Sequence, residues 1–233
     1  MSTPPVIDFS PFMVEDGAVV GRPMTKAQEA VVRELDAVNR SSGFAYLQNI
    51  GISSEDLQEW FLASRELFAL REEEKMGELQ RATATTNVGY VPMGQENLNA
   101  SRPAELKESF KVRCPSTDNL GGCPRSFVAA ARALWAKAGA AMGRYALACA
   151  LALGVEPDFL TRHLQAMDQV RLSFLHYPPC AYDPGAAEGG GPIRIGEHTD
   201  FGLFTLLFLD GTAEGLEVKK VAGGEVGGAA GGG

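Results

Sequence analysis

Three observations predict an α+β fold. Helical stretches come first and extended ones last along the 233 residues, no internal repeat interrupts them, and a composition of 45% hydrophobic and 21% charged residues suits a globular core. That length allows one sizeable domain, or two small ones sharing a core.

Each predicted element has a local reason. Val6–Phe9 alternates between flanking prolines and opens as a strand. Thr25 offers a hydroxyl cap, and Val31, Leu35 and Val38 recur at helical spacing until Ser41, Ser42 and Gly43 stop the helix. Phe44–Ile50 predicts a buried strand. Ser53 or Ser54 caps a second helix with the stripe Leu57, Trp60, Phe61, Leu67 and Phe68, and the charged stretch Arg71–Lys75 predicts its solvated end. Residues 81–103 are polar and predict a long loop with a short extended piece at Tyr90–Val91. Glu108–Val112 predicts a strand, and the Ala-rich stretch Phe127–Leu153 predicts the longest helix, closed by Gly154. Pro157 suits the first turn of another helix reaching Met167.

The texture then becomes extended. Val170–Tyr177 alternates until Pro178 and Pro179 end it, and Ile193–Glu197 is short and extended. Leu203–Leu209 is almost continuously apolar, the pattern of a strand buried on both faces. Asp210 and Gly211 turn the chain towards a return strand at Leu216–Lys219.

Charge and composition exclude several classes. A net charge of −8 opposes a broad electrostatic grip on nucleic acid or on an anionic membrane. The longest apolar stretch, Val128–Leu153, carries Arg132, Lys137 and Arg144, which predicts a buried soluble helix over a membrane span. Met1–Pro5 has neither a basic n-region nor an apolar h-region, so no secretory leader is expected. Cys114, Cys123, Cys149 and Cys180 form no CxxC pair, predicting free thiols in a reducing compartment. These features predict a soluble cytoplasmic protein.

Only three histidines compete for chemistry. His163 has no acid at a ligand spacing and reads as structural; His176, at the end of a strand, reads as a packed histidine bonded to backbone. His198 stands apart. On an extended chain, residues two apart share a face, so His198 and Asp200 can converge on one metal ion. Imidazole plus carboxylate suits Fe(II), and one further histidine would complete a facial triad with open positions.

Several motifs in order carry a resemblance. Pro5–Phe9, Ser42–Tyr46, Glu73–Lys75, Gly89–Tyr90, Lys107–Phe110, Arg171–Pro179 and Gly196–Gly202 resemble the isopenicillin N synthase-like branch of the 2-oxoglutarate/Fe(II)-dependent dioxygenases, over about Pro5 to Lys220. The resemblance implies a helical N-terminal region packed on a double-stranded β-helix, a jelly roll holding iron. It divides the chain into an N-terminal region at 1–125, a helix and the first part of the jelly roll at 126–222, and a flexible glycine-rich tail at 223–233. By the same resemblance His198 and Asp200 are the first two metal ligands, Tyr177 reaches the cosubstrate carboxylate, and no residue is assigned to catalysis itself. The implied cofactors are Fe(II) and 2-oxoglutarate, with ascorbate as an accessory, and the implied partners are O2 and a small organic substrate. Succinate and CO2 are the implied coproducts, although some relatives do without 2-oxoglutarate.

The sequence departs from that pattern in three places. Leu175 stands where plant relatives often carry asparagine, no histidine follows His198, and no arginine follows Arg194 to give the Arg-x-Ser of the family. The pattern therefore predicts a C-terminally incomplete jelly roll with weakened or absent catalysis. The alternative reading is a non-catalytic remnant that pairs with another chain through exposed strand edges.

Overall fold

The computed structural model describes residues 3–13, 23–83, 85–96, 105–114, 120–168, 170–179, 194–195, 197–200, 202–211 and 216–218. Helix and sheet are mixed, and the chain forms two compact units. The first is built from described residues within 1–50, 144–160 and 209–218, the second from those within 51–143 and 161–208.

In the first unit, strand β1 (Val6–Asp8) pairs in parallel with β2 (Tyr46–Gln48), Ile7 standing opposite Leu47. Helix α1 (Lys26–Asn39) starts where expected. Thr25 accepts from the Gln28 amide and Gln28 answers the Thr25 amide, a capping box that satisfies two otherwise orphaned donors. The stripe Val31, Val32, Leu35 and Val38 is buried, as are Ile7, Phe9 and Phe12. Strand β2 corrects the expectation of a buried run at Phe44–Ile50: it is three residues long, with Phe44 and Tyr46 exposed.

The second unit holds the larger core. Helix α2 (Ser54–Phe68) is opened by a Ser53–Asp56 capping box, and a short α3 (Glu72–Gly77) follows. Strands β3 (Gly89–Val91), β4 (Glu108–Val112) and β5 (Leu172–His176) form an antiparallel sheet in that order. Trp60, Leu67 and Phe68 from α2 pack with Tyr90, Phe110, Val112, Phe127 and Phe174. Phe127 meets Phe110 edge-on at 5.3 Å and Phe174 at 4.6 Å, geometries that add to the burial of each ring.

Helix α4 (Arg125–Ala152) follows the Ala-rich stretch. It ends at Gly154, whose φ of +68° lets the Val155 amide reach back to Ala150 O and its own amide to Leu151 O. The helix expected from Pro157 to Met167 is absent; turns and one 3-10 turn at Thr161–His163 take its place. Proline at a first turn permits a helix without supplying the buried stripe that would hold one.

The run Leu203–Leu209 also differs from expectation. No strand ladder includes it among the described residues; Phe204, Leu206 and Phe208 are half-buried while Leu203, Leu207 and Leu209 are more than half exposed. Two-sided burial needs neighbours on both faces and a paired backbone, and apolar content alone provides neither. Leu216–Val218 is exposed and forms no strand, Arg194–Ile195 forms a bend, and Lys219 and the 223–233 tail lie outside the described residues.

One turn is sterically demanding. Gly122 has φ +79°, and a Cβ there would lie 2.1 Å from Glu78 O, a backbone atom that cannot swing aside. Gly122→Ala is expected to destabilise the chain by about 2 kcal/mol or more, from left-handed strain plus the clash. Gly77→Ala, which meets nothing within 4 Å, is the control expected to shift the denaturant midpoint little.

Candidate functional site

Within the second unit, the structure brings His198 and Asp200 together. His198 Nε2 lies 3.2 Å from Asp200 Oδ1, and the Thr205 hydroxyl donates to Asp200 Oδ2 at 2.7 Å. Two cis donors on a metal with bonds of about 2.1 Å stand about 3 Å apart, so this spacing fits two neighbouring ligand positions. That bond from Thr205 fixes the orientation of the Asp200 carboxylate. Both residues sit on an extended segment outside any ladder, and among the described residues no group of three or more His, Cys, Asp or Glu could hold a metal. The donor set fits Fe(II) at two positions.

The two faces of the β3–β4–β5 sheet differ in kind. Phe110, Val112, Leu172 and Phe174 turn one face towards the core, and Glu108 and His176 continue that alternation. Glu108 is almost fully buried and works as a hub. Its Oε2 accepts from Lys75 Nζ at 2.9 Å and from the Tyr90 hydroxyl at 2.5 Å, and its Oε1 lies 2.8 Å from His176 Nδ1. Burial alone would push its carboxyl up, but the bonds from Tyr90, Lys75 and His176 outweigh it and hold the group below its usual range.

This hub corrects two expectations. The sequence predicts Lys75 in a solvated helix end, yet it is buried, because its charge is matched by Glu108 across the fold and by Glu72 at 3.2 Å. His176 bonds to a side chain instead of backbone and stacks on Phe68 at 5.3 Å. His163 is exposed in its 3-10 turn, consistent with a structural reading.

The opposite sheet face is ionic. Extending the register that sets Glu108 against His176 places Lys107 opposite Tyr177, on the face of Ser109 and Lys111. Lys107 Nζ lies 2.7 Å from Glu105 and 3.6 Å from Glu96, and Lys111 bonds both Glu96 and Asn87. Lys107, Ser109, Lys111 and Glu105 are all buried, and Tyr177 is half-buried. Burial first, then the charges of Glu105 and Glu96, push the Tyr177 phenol up to about 12, while the Arg194 charge pulls the other way. Tyr177 is therefore a protonated hydrogen-bond donor at neutral pH. Sequence reasoning missed Lys107 and Lys111 on this face; the one available signal was the alternation Lys-x-Ser-x-Lys across Lys107–Lys111.

Among the described residues Cys123 and Cys149 are free thiols, and burial pushes the Cys123 thiol up to about 12, away from nucleophilic use. Cys180 lies outside the described residues. No helix among the described residues is long and apolar enough to cross a membrane.

Residues 4–128 match the family described as the non-haem dioxygenase in morphine synthesis N-terminal region. The chain is 29% identical over 208 residues to the 2-oxoglutarate-Fe(II) type oxidoreductase ppzD of Metarhizium rileyi, covering 80% of this chain and 56% of that protein. It is 30% identical over 199 residues to the 2-oxoglutarate-dependent dioxygenase frbA of a Dothideomycetidae species, covering 76% of this chain and 56% of that protein. Among solved structures, a full-length Neurospora crassa protein in complex with alpha-KG aligns with a TM-score of 0.67 at 24% identity, over 85% of this chain and 61% of that one. At that identity the likeness speaks to fold. The chain thus spans little more than half the length of these curated relatives. With more than half of its residues matching the N-terminal region of these enzymes, the chain belongs to the non-haem, 2-oxoglutarate/Fe(II)-dependent dioxygenase family.

Proposed function

We propose that the chain belongs functionally with oxygenases that bind Fe(II) through His198 and Asp200, take 2-oxoglutarate beside Tyr177, and oxidise a small organic substrate with O2. The observation that carries this reading is the 3.2 Å approach of His198 to Asp200, set in a chain of this family. Bound Fe(II) would supply the redox chemistry that turns 2-oxoglutarate and O2 into succinate, CO2 and an oxidised substrate. The protein's part is narrower. Thr205 fixes the Asp200 carboxylate, and Tyr177 offers a hydroxyl proton to a cosubstrate carboxylate.

In this reading residues 1–125 form the N-terminal region, 126–222 a helix and the first part of a jelly roll, and 223–233 a tail. The free thiols Cys123 and Cys149 support action in the cytosol. His198 and Asp200 provide two of the three protein ligands of a facial triad, so turnover by the 233-residue chain is expected to be slow or absent. Purified chain loaded with Fe(II) and ascorbate is expected to form succinate from 2-oxoglutarate no faster than His198→Ala. Succinate clearly above that control would overturn the limit on the lone chain and point to a ligand supplied by another subunit.

A second reading, a non-catalytic chain that pairs with another, is supported by the unladdered segment 203–208, with Leu203 and Leu207 exposed. It would gain if the chain neither bound Fe(II) nor formed succinate.

A further inference from the structure

Tyr177 stands one residue past the end of its ladder. Strand β5 closes at His176, opposite Glu108, and Pro178 and Pro179 follow with no amide to bond onwards. Among the described residues the Tyr177 hydroxyl makes no hydrogen bond of its own. The direction of the phenol is therefore set by the residue before it. Neighbouring side chains on an extended chain point to opposite faces, so any twist of the strand at His176 carries Tyr177 with it.

His176 is held by contacts more than by packing, since 39% of its side chain is exposed. Its Nδ1 lies 2.8 Å from Glu108 Oε1, and its ring stacks on Phe68 of α2 at 5.3 Å. The acceptor is itself fixed, because Glu108 Oε2 takes bonds from Lys75 Nζ of α3 and from the Tyr90 hydroxyl of β3. A ring stack tolerates sliding, whereas a bond to a charged and immobilised acceptor is short and directional. We infer that Glu108 and His176 are positioning residues: from the core face of the sheet they hold the Tyr177 phenol on the opposite, ionic face. The inference rests on the oxygenase reading for its use, since there Tyr177 meets 2-oxoglutarate, and on these contacts alone for its geometry. It gives the buried ion cluster a task besides stability, because an apolar pair at these two positions would fill the same space and orient the strand end less.

The test is NMR of the metal-free chain labelled in its tyrosine rings, with the Tyr177 resonance assigned by Tyr177→Phe. Two variants separate the contacts of His176. His176→Phe keeps a ring to stack on Phe68 and loses the Glu108 bond, whereas His176→Asn sets an amide nitrogen near the place of Nδ1 and keeps that bond. Both leave Lys75 and Tyr90 on Glu108, and thermal midpoints confirm that they fold. In His176→Phe the Tyr177 resonance is expected to move towards that of free tyrosine, in His176→Asn to stay near wild type, and the Tyr145 resonance to stay in place in both. A Tyr177 resonance that is unchanged in His176→Phe, shifts alike in both variants, or shifts together with Tyr145 overturns the inference. Calorimetric titration of the Co(II)-loaded proteins with 2-oxoglutarate then reads the use of that position: affinity falls about tenfold in His176→Phe and is restored in His176→Asn. A wild-type chain that binds no 2-oxoglutarate, or a Tyr177 shift without loss of affinity, counts against the oxygenase reading alone, because the resonances are read without ligand.

Discussion

Replacing Glu108 with Ala is expected to destabilise the chain by about 3–5 kcal/mol, because it strands a buried cation and two further polar groups together. Lys75 loses its 2.9 Å partner and keeps only Glu72, which is largely exposed and sits in solvent-screened surroundings. The buried Tyr90 hydroxyl loses its acceptor, and His176 loses the group that fixes its ring against Phe68. Glu108→Gln keeps an acceptor oxygen without the charge, and its loss should fall between wild type and Glu108→Ala. Urea unfolding at neutral pH reads both. A Glu108→Ala midpoint within error of wild type would show that the hub contributes nothing to the fold.

The same hub fixes a pH window. The folded pKa of Glu108 is depressed, so its contribution is present above the ordinary carboxylate range and is lost as pH falls through the folded value. Burial alone would push the Lys75 ammonium down, but its bonds to Glu108 and Glu72 prevail and raise it. That contribution is full below the ordinary lysine range and is lost as pH rises through the folded value. Burial first, then the Glu108 bond, pushes the Tyr90 phenol well above its usual range, with the same alkaline sign. Stability should therefore hold a plateau between about pH 5 and pH 10 and fall on both sides, with the acid limb flattened in Glu108→Gln.

Which features are legible in the sequence follows from how local their causes are. The capping boxes at Thr25 and Ser53 involve partners three residues away, and both helices begin where those residues indicate. Strand β4 and helix α4 fall within two residues of expectation, since alternation and an Ala-rich run are local patterns. The burial of Lys75 is illegible because its partner Glu108 lies 33 residues along the chain, in an element whose charge pattern gives no hint of the pairing. Leu203–Leu209 misleads because apolarity reports what a segment could bury and says nothing of which strands stand beside it. At the site, the approach of His198 to Asp200 follows from their spacing of two. The grouping of Lys107, Lys111 and Tyr177 depends on the register of β4 against β5, which only the paired sheet reveals.

The second large effect is expected at the metal pair. In the proposed site His198 and Asp200 are the two protein ligands, and no group of three or more His, Cys, Asp or Glu among the described residues offers another. Removing one leaves a single donor, which cannot hold a divalent ion against water. Thr205→Ala removes only the group that orients Asp200, so its loss should be smaller, about tenfold. Anaerobic titration of the metal-free chain with Co(II), followed by visible absorption and calorimetry, reads the His198–Asp200 pair as metal ligands. One Co(II) per chain is expected, with affinity reduced about a hundredfold or more in both His198→Ala and Asp200→Ala and their thermal midpoints unchanged. Co(II) binding that survives both substitutions, or a wild-type chain that binds none, would contradict it.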